Sequence, residues 1–311
     1  MSLRVFQICW NESAYARPEP GFEALDWRNN PQPALREFAV FRDLHKRGEM
    51  EKSELTGAFS PKFAAKANVS GREFIEWTKL NPGYDVYVVN PRPQHPAFFF
   101  NGWSQSRYQY GNQFMDAARE LFEFTNYDFE SWICQRQDFS NFFCMNYWVG
   151  NRSVWDRCVR LIEDVLSVDR RKLRPETDAF LFTPRKWRAP NQFPIPQITL
   201  VLERAVTSFV ISQQSIKKLM YPATHDRIER CCRNPAEWIL YQSFAPVAAR
   251  FDAEQRASST AGRDHFEMAG LAAENLARLY HHHFGHANGD DEHLERQLVS
   301  LMEPVSMPIA L

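Results

Sequence analysis

The stretch Tyr84-Asp85-Val86-Tyr87-Val88-Val89, closed by Asn90-Pro91, decides how this sequence of 311 residues folds. Valine and tyrosine fill it, and both residue types favour strands, whereas the Asn-Pro pair ends a strand. The stretch therefore predicts a strand. Whether its sheet is parallel depends on what lies between this strand and its neighbours along the chain.

Upstream, two further predicted strands are separated by helical patterns. Residues 3–10 and 55–60 are typical of strands, whereas apolar residues recur at helical spacing over residues 34–46. A capping box at Ser70 and Glu73 indicates the start of a second helix. The order strand–helix–strand–helix–strand is typical of an α/β fold, so we predict a mixed, mainly parallel sheet flanked by helices.

Downstream, the sequence predicts more helices and one more strand. The predicted elements are a helix at 112–124, a strand at 141–149, a helix at 152–165 and an apolar helix at 197–212. From about Pro235 the pattern is helical, over residues 235–256, 261–284 and 290–303. We therefore expect an α/β domain over residues 1–230 and a helical C-terminal extension over residues 231–311.

Composition narrows the function classes. The chain has 37 Lys and Arg against 38 Asp and Glu, whereas a protein that binds nucleic acid by neutralising phosphates needs a basic excess. Aromatic residues make up 14%, which fits either a large core or stacking platforms for sugars and bases. The six cysteines lack CxxC spacing and the N-terminus lacks a secretion signal, so we expect a cytoplasmic protein with reduced cysteines.

Polar residues follow three of the predicted strands. Asn11 comes after the first strand, Ser60 and Lys62 after the second, and Asn90 after the third. Ligands of open parallel sheets bind where the carboxyl ends of strands converge, so these residues are candidates for a binding site. Lys62 suits a phosphate, although Ser-Pro-Lys also fits a simple strand-ending turn. Asp85 lies within the apolar strand, where a carboxylate needs a partner or a metal ion.

Several motifs of known chemistry are missing. The sequence has no GxxxxGK[ST] or GxGxxG motif, which argues against P-loop kinases and dinucleotide-dependent dehydrogenases, and no GxSxG elbow. Near Asp85 there is no DxD pair to bind a divalent ion. In the cluster His281-His282-His283-Phe284-Gly285-His286, His282 and His286 have the spacing of two metal ligands on one helix face; solvated histidines are the alternative.

Four local motifs follow one another along the chain: residues 57–63 (GAFSPKF), 81–91 (NPGYDVYVVNP), 141–151 (NFFCMNYWVGN, followed by Val154-Trp155) and 202–209 (LERAVTSF). Their order resembles that in bacterial capsule and O-antigen glycosyltransferase-like proteins with a GT-A-type nucleotide-sugar fold. The resemblance covers residues 3–212, about two thirds of the chain.

The resemblance implies a role for each matching residue. Ser60 and Lys62 would bind the donor nucleotide or its diphosphate, and Asn11 and Asn90 would lie at the same sheet edge. Glu203 would act as general base or position the substrate, with Arg204 orienting it or contacting a phosphate, and Asp85 would lie on the strand that leads to the donor. The residues implied on the acceptor side are Asn101, Trp103, Gln105, Asn146, Trp148 and Asn151, and Trp155 is a further candidate for stacking on a sugar.

The implied function is transfer of a sugar from a nucleotide-sugar donor to a glycan or lipid-linked glycan acceptor in bacterial surface polysaccharide biosynthesis. The protein would act in the cytoplasm or peripherally at the inner face of the cytoplasmic membrane. Its C-terminal helices allow a homodimer. The missing DxD leaves dependence on Mg²⁺ or Mn²⁺ open. The missing DxD and the added C-terminal helices also motivate a second hypothesis, a non-catalytic binding or scaffold subunit on a degenerate transferase fold. The histidine cluster motivates a third, a metal-dependent hydrolase.

Overall fold

The computed structural model of the protein describes residues 1–185 and 194–284. Within them, the strands form a six-stranded sheet in the order β2-β1-β3-β5-β4-β6. The strands are β1 (Leu3–Cys9), β2 (Glu23–Asp26), β3 (Leu55–Phe59), β4 (Val86–Val88), β5 (Trp148–Gly150) and β6 (Lys218–Met220).

The strands run in one direction except for β5. β2 and β3 are parallel to β1 and β6 is parallel to β4, whereas β5 lies between β3 and β4 and is antiparallel to both. The ends of β1, β3, β4 and β6 therefore meet the beginning of β5 at one edge of the sheet, which we call the carboxyl edge. The strand predicted at 141–149 is wrong in extent, because the residues before Trp148 form turns and irregular chain.

Helices surround the sheet. In chain order they are α1 (Glu12–Ala16), α2 (Glu37–Lys46), α3 (Phe63–Ala67), α4 (Gly71–Leu80), α5 (His95–Phe98), α6 (Gly102–Tyr110), α7 (Asn112–Glu123), α8 (Phe129–Cys134), α9 (Arg152–Leu166), α10 (Pro175–Phe182), α11 (Ile198–Ser212), α12 (His225–Cys231), α13 (Pro235–Ala253) and α14 (Thr260–Phe284). The capping box predicted from Ser70 and Glu73 is present at the start of α4.

Both faces of the sheet are buried because side chains alternate along each strand. Val86 and Val88 lie in the core between the sheet and helices α2, α7, α9 and α11. Tyr87 and Val149 lie in the opposite core, which α3 and α4 cover. Gly57 of β3 has to be glycine because a Cβ there would lie 2.6 Å from Cγ1 of Val149 on β5.

The C-terminal helices dock on the rest of the chain. Residues of α13 and α14 form apolar clusters with residues of α5 and the segment before α6. A bidentate ion pair supports this contact, because Nε and Nη2 of Arg136 each donate to a different oxygen of Asp252 over 2.8 Å. The prediction of an α/β fold with a mixed, mainly parallel sheet flanked by helices and a helical C-terminal extension is thus confirmed. The helix predicted at 290–303 lies outside the described residues.

None of the helices in the described part of the chain has both the length and the apolar character that crossing a bilayer requires.

Candidate functional site

Ser60 and Tyr147 meet at the centre of the carboxyl edge. Ser60 follows β3, Tyr147 precedes the antiparallel β5, and their hydroxyl groups hydrogen-bond over 2.8 Å. The rings of Phe59 and Phe63 pack against Tyr147, with centroids 5.5 and 5.2 Å away. Burial raises the pKa of Tyr147, so its hydroxyl stays protonated and can donate or accept a hydrogen bond. Ser60 is therefore placed at the edge where the sequence predicts binding.

Cations gather around this pair. Lys62 and Lys66 come from the turn after β3 and from α3, Arg92 follows β4, and Arg36 precedes α2. Burial lowers the pKa of Lys66, and so does the nearby positive charge of Arg92, Arg36 and Lys62, whereas Glu203 partly offsets it. Among the described residues, the Lys66 ammonium has no hydrogen-bond or ion-pair partner. Lys66 thus lies near three other cations, and such a concentration of positive charge favours an anionic ligand.

Arg92 also lacks a carboxylate partner within the described residues. Its Nη1 donates to the carbonyl of Cys231 over 3.2 Å. Burial lowers the pKa of Arg92, and the like charge of Arg233 lowers it further. A guanidinium in this position has donors left over for a phosphate.

Arg227 closes the base of the site. Its guanidinium donates to the carbonyls of Asn90, Ala67 and Pro222 over 2.6, 3.1 and 3.3 Å. It therefore connects the ends of β4 and α3 with the segment after β6. Burial lowers the pKa of Arg227, and carbonyls rather than carboxylates satisfy it, so its positive charge adds to the field at the carboxyl edge.

Glu203 and Arg204 approach the cations from α11. Oε1 of Glu203 accepts a hydrogen bond from the backbone N–H of Met145 over 3.2 Å and another from Nη1 of Arg204. Arg204 is 5% exposed and also donates to Ser106 Oγ and to Gln105 Oε1, each over 2.8 Å. The guanidinium of Arg204 is therefore fully engaged within the fold, where it holds the Glu203 carboxylate and is itself held by Gln105 and Ser106. Met145 has a φ of 67°, a strained value for this residue type, directly beside the site.

Asn146 and Glu37 form a further polar pair at the same edge. Nδ2 of Asn146 donates to Oε1 of Glu37, at the start of α2, over 3.2 Å. Oδ1 of Asn146 is buried and has no hydrogen-bond partner. The charge of Glu37 also acts on Tyr147, as does that of Glu203. The two carboxylates, the asparagine and the tyrosine thus belong to one polar cluster with the cations.

Asp85 and Asn151 lie apart from this polar cluster. Asp85 precedes β4 and Asn151 follows the antiparallel β5, so both lie at the edge opposite Ser60 and Asn90. Oδ1 of Asp85 accepts from Asn151 Nδ2, and Oδ2 accepts from the backbone N–H of Lys217, each over 2.8 Å. Both carboxylate oxygens therefore hold β4, β5 and β6 together.

Three further asparagines have structural bonds. Asn11 lies at the carboxyl edge, where Oδ1 caps α1 by accepting from the N–H of Ala14. Asn90 also lies there, and its Nδ2 donates to the carbonyl of Phe142 while Oδ1 accepts from the N–H of Arg92. Asn101 caps α6 and donates to the carbonyls of Ile133, within α8, and of Gln135, directly after it, so its side chain is engaged in hydrogen bonds within the fold.

The three tryptophans that the sequence offers either for stacking on sugars or for the core are core residues. Trp103, Trp148 and Trp155 are 0%, 1% and 1% exposed, and no sugar can reach a ring that is fully covered. Trp10 is different, because it follows β1 at the carboxyl edge and is 44% exposed. Hydrophobic patterning could not separate these cases, since the difference lies in what packs against each ring.

A divalent metal does not fit the residues that the structure describes. They include no group of three or more His, Cys, Asp or Glu side chains that could hold a metal ion. Both oxygens of Asp85 are already hydrogen-bonded. The side chains of the histidine cluster at 281–286, and the pair Asp290-Asp291, lie outside the described residues.

Sequence reasoning missed Lys66, Arg92 and Glu37. A signal existed for two of them: Lys66 comes one helical turn after Lys62, and Arg92 lies two residues beyond Asn90, which ends the clearest strand. Glu37 gave no signal, because only the tertiary fold brings the start of α2 to Asn146.

Comparison of the chain with protein-family models, with curated proteins and with solved structures finds no match.

Proposed function

We propose that the protein is a nucleotide-sugar-dependent glycosyltransferase of bacterial surface polysaccharide biosynthesis, with its donor site at the carboxyl edge. One observation carries the proposal: cations without carboxylate partners, Lys66 and Arg92 among the described residues, lie beside a carboxylate held in a fixed position, Glu203. A nucleoside diphosphate is the anion that a sugar transferase has to hold and release. The position also agrees with ligand binding at the carboxyl ends of strands in open α/β sheets.

The proposed chemistry uses the chain's own groups. Lys62, Lys66 and Arg92 bind the diphosphate and stabilise the negative charge that develops on it. Glu203 takes the proton of the acceptor hydroxyl. As the acceptor oxygen bonds to the anomeric carbon, the bond from that carbon to the phosphate oxygen breaks and its electron pair stays on the diphosphate. The described hydrogen bonds of Glu203 both fall on Oε1, which leaves Oε2 for the proton.

Binding of the donor is tested by calorimetric titration with UDP, GDP, dTDP and CMP and with their sugar conjugates. Loss of a charged hydrogen bond weakens binding by about tenfold or more, so Lys66→Ala and Arg92→Gln are expected to do so. Lys79→Ala is the matched control, because Lys79 is exposed near the end of α4, away from the carboxyl edge. Absence of saturable binding for the whole panel, or equal effects of Lys66→Ala and Lys79→Ala, would refute the proposal.

A second candidate is a non-catalytic binding subunit with the same donor site. The hydrogen bonds of Asp85 favour it, because the strand aspartate of the resemblance is committed to structure here. Glu203→Gln separates the two candidates. If the protein is an enzyme, the Glu203→Gln variant keeps its binding of UDP-sugars and loses transfer of the sugar to an acceptor or to water. If it is a scaffold subunit, the gene for the variant restores the phenotype of a deletion strain as well as the gene for the unchanged protein does.

A further inference from the structure

Asn146 has a hydrogen-bonding capacity that the described chain does not use. It is 6% exposed and lies at the carboxyl edge between Met145, which contacts Glu203, and Tyr147, which contacts Ser60. Its Oδ1 is buried and accepts no hydrogen bond. Buried polar atoms are nearly always paired, so an unpaired oxygen inside a candidate site requires an explanation.

The orientation of the amide is fixed by its neighbour. Nδ2 of Asn146 donates to the carboxylate of Glu37 over 3.2 Å. Turning the amide over would place Oδ1 against that carboxylate, and two acceptors would then face each other. The unpaired atom is therefore the oxygen, and what it lacks is a donor.

The same site contains the opposite deficiency. Among the described residues, the Lys66 ammonium has no acceptor as a hydrogen-bond partner, whereas Oδ1 of Asn146 has no donor as a partner. The two do not hydrogen-bond to each other in this conformation. A ligand that carries both an anionic phosphate and a nearby hydroxyl group would satisfy both residues at once.

We infer that Asn146 recognises a hydroxyl group of a sugar phosphate, with Oδ1 accepting its hydrogen while Lys66 and Arg92 hold the phosphate. The inference rests on the proposed function and deepens it, because it moves Asn146 from the acceptor side to the donor. The oxygen is shielded in the ligand-free protein, so side chains over it move aside when the sugar enters. The hydroxyl belongs either to the transferred sugar or to the ribose.

The test compares three kinds of probe against the unchanged protein and Asn146→Leu. Pyrophosphate has no hydroxyl group, UDP, GDP and dTDP carry only those of their pentose, and UDP-glucose, GDP-mannose and dTDP-rhamnose carry both kinds. Asn146→Leu is expected to weaken the sugar-bearing probes by about tenfold, the worth of one hydrogen bond, and to leave pyrophosphate unchanged. A loss confined to the nucleotide sugars assigns the hydroxyl to the transferred sugar, and an equal loss for the nucleoside diphosphates assigns it to the pentose.

Stability separates recognition from a structural role. In ligand-free Asn146→Leu, removal of the unpaired buried acceptor stabilises the fold, whereas loss of the hydrogen bond from Nδ2 to Glu37 destabilises it, so the thermal midpoint is expected to change by no more than about 4 °C. Asn151→Ala is the matched control, because Asn151 caps α9 at the opposite edge. It is expected to lower the midpoint without changing the ratio of affinities for UDP-glucose and pyrophosphate.

Two outcomes would refute the inference about Asn146 without refuting the proposed function. In the first, pyrophosphate and nucleotide sugars bind through Lys66, yet Asn146→Leu weakens both equally or neither. In the second, Asn146→Leu and the smaller Asn146→Ala both unfold, which would make Asn146 structural. If no phosphate probe binds the unchanged protein, the proposed function fails, and this inference with it.

Discussion

Replacing Glu237 by glutamine is expected to remove a pH-dependent part of the protein's stability. Glu237 lies in the first turn of α13 and is buried. Its carboxylate accepts from Arg233, over 2.5 Å from the backbone N–H and 3.2 Å from Nη2, and from Gln94 Nε2 over 3.3 Å. It therefore connects α13 with the segment between β4 and α5, which carries Arg92.

The size of the effect follows from the pKa of this carboxyl group. Burial alone would raise it, but the positive charges and hydrogen bonds of Arg233, with the charge of Arg92, outweigh burial and hold the pKa of Glu237 at about 2, below its ordinary value of 4.5. That difference corresponds to about 3 kcal/mol of folding free energy. Because the Arg233 side chain is 25% exposed and partly screened by water, we expect about 2–3 kcal/mol at about pH 7.

The sign of the pH dependence is fixed because the folded pKa is the lower one. The stabilisation is complete above the unfolded pKa of 4.5 and is lost as the pH falls through the folded value of about 2. Urea unfolding, followed by tryptophan fluorescence, measures the free energy of unfolding of the unchanged protein and of Glu237→Gln. The gap between them is expected to shrink to less than half by about pH 3.

Glu229→Gln provides the matched control, because Glu229 is exposed on the neighbouring α12. It is expected to change the free energy of unfolding by less than about 0.5 kcal/mol at either pH. A gap for Glu237→Gln that stays constant from neutral to acidic pH would refute the reasoning, since a packing defect, unlike the loss of a charged carboxylate, does not titrate.

Three further predictions concern other parts of the molecule. Asp252→Asn is expected to lower the free energy of unfolding by about 3 kcal/mol, because it leaves the largely buried Arg136 without its carboxylate partner. Thermal melting measures the loss, and a decrease of less than about 1 kcal/mol would contradict the prediction. Trp103→Phe is expected to lower the free energy of unfolding by about 1 kcal/mol, because the hydrogen bond to Ser208 Oγ is lost. The affinity for nucleotide sugars is expected to stay unchanged, and weaker binding would indicate that Trp103 takes part in the site. Pyrophosphate affinity is expected to fall as the pH rises through the lowered pKa of Lys66, whose ammonium form holds the anion, and Lys66→Arg is expected to flatten this profile in the same titration.

The sequence predicts the elements better than their arrangement. The strand at 55–60, the helix capped by Ser70 and the helix at 152–165 appear almost as expected, because local patterns determine them. The direction of β5 could not be predicted, since it depends on pairing with β3 and β4, distant in the chain. Because β5 is antiparallel, Tyr147 lies at the carboxyl edge and Asn151 lies at the opposite edge.

The sequence predicts where the candidate site lies but not which residues form it. The rule on carboxyl ends of strands selects Ser60 and Lys62 correctly as residues of that edge. Whether a polar side chain is free to bind a ligand depends on bonds that no local pattern reveals: Asn101 caps a helix, whereas Lys66 has no hydrogen-bond partner among the residues that the structure describes.

The position of β5 also affects how the protein is made. During synthesis, β1, β2 and β3 leave the ribosome first, yet β4 cannot join them directly, because Trp148–Gly150 is the strand that pairs with both β3 and β4 in the described part of the chain. The edge of the N-terminal half-sheet therefore stays unpaired while the 88 residues between Phe59 and Trp148 are added. We expect ribosome-bound chains that end before this three-residue strand to be sensitive to proteases and to be recognised by chaperones, and that longer chains become resistant once β5 has emerged.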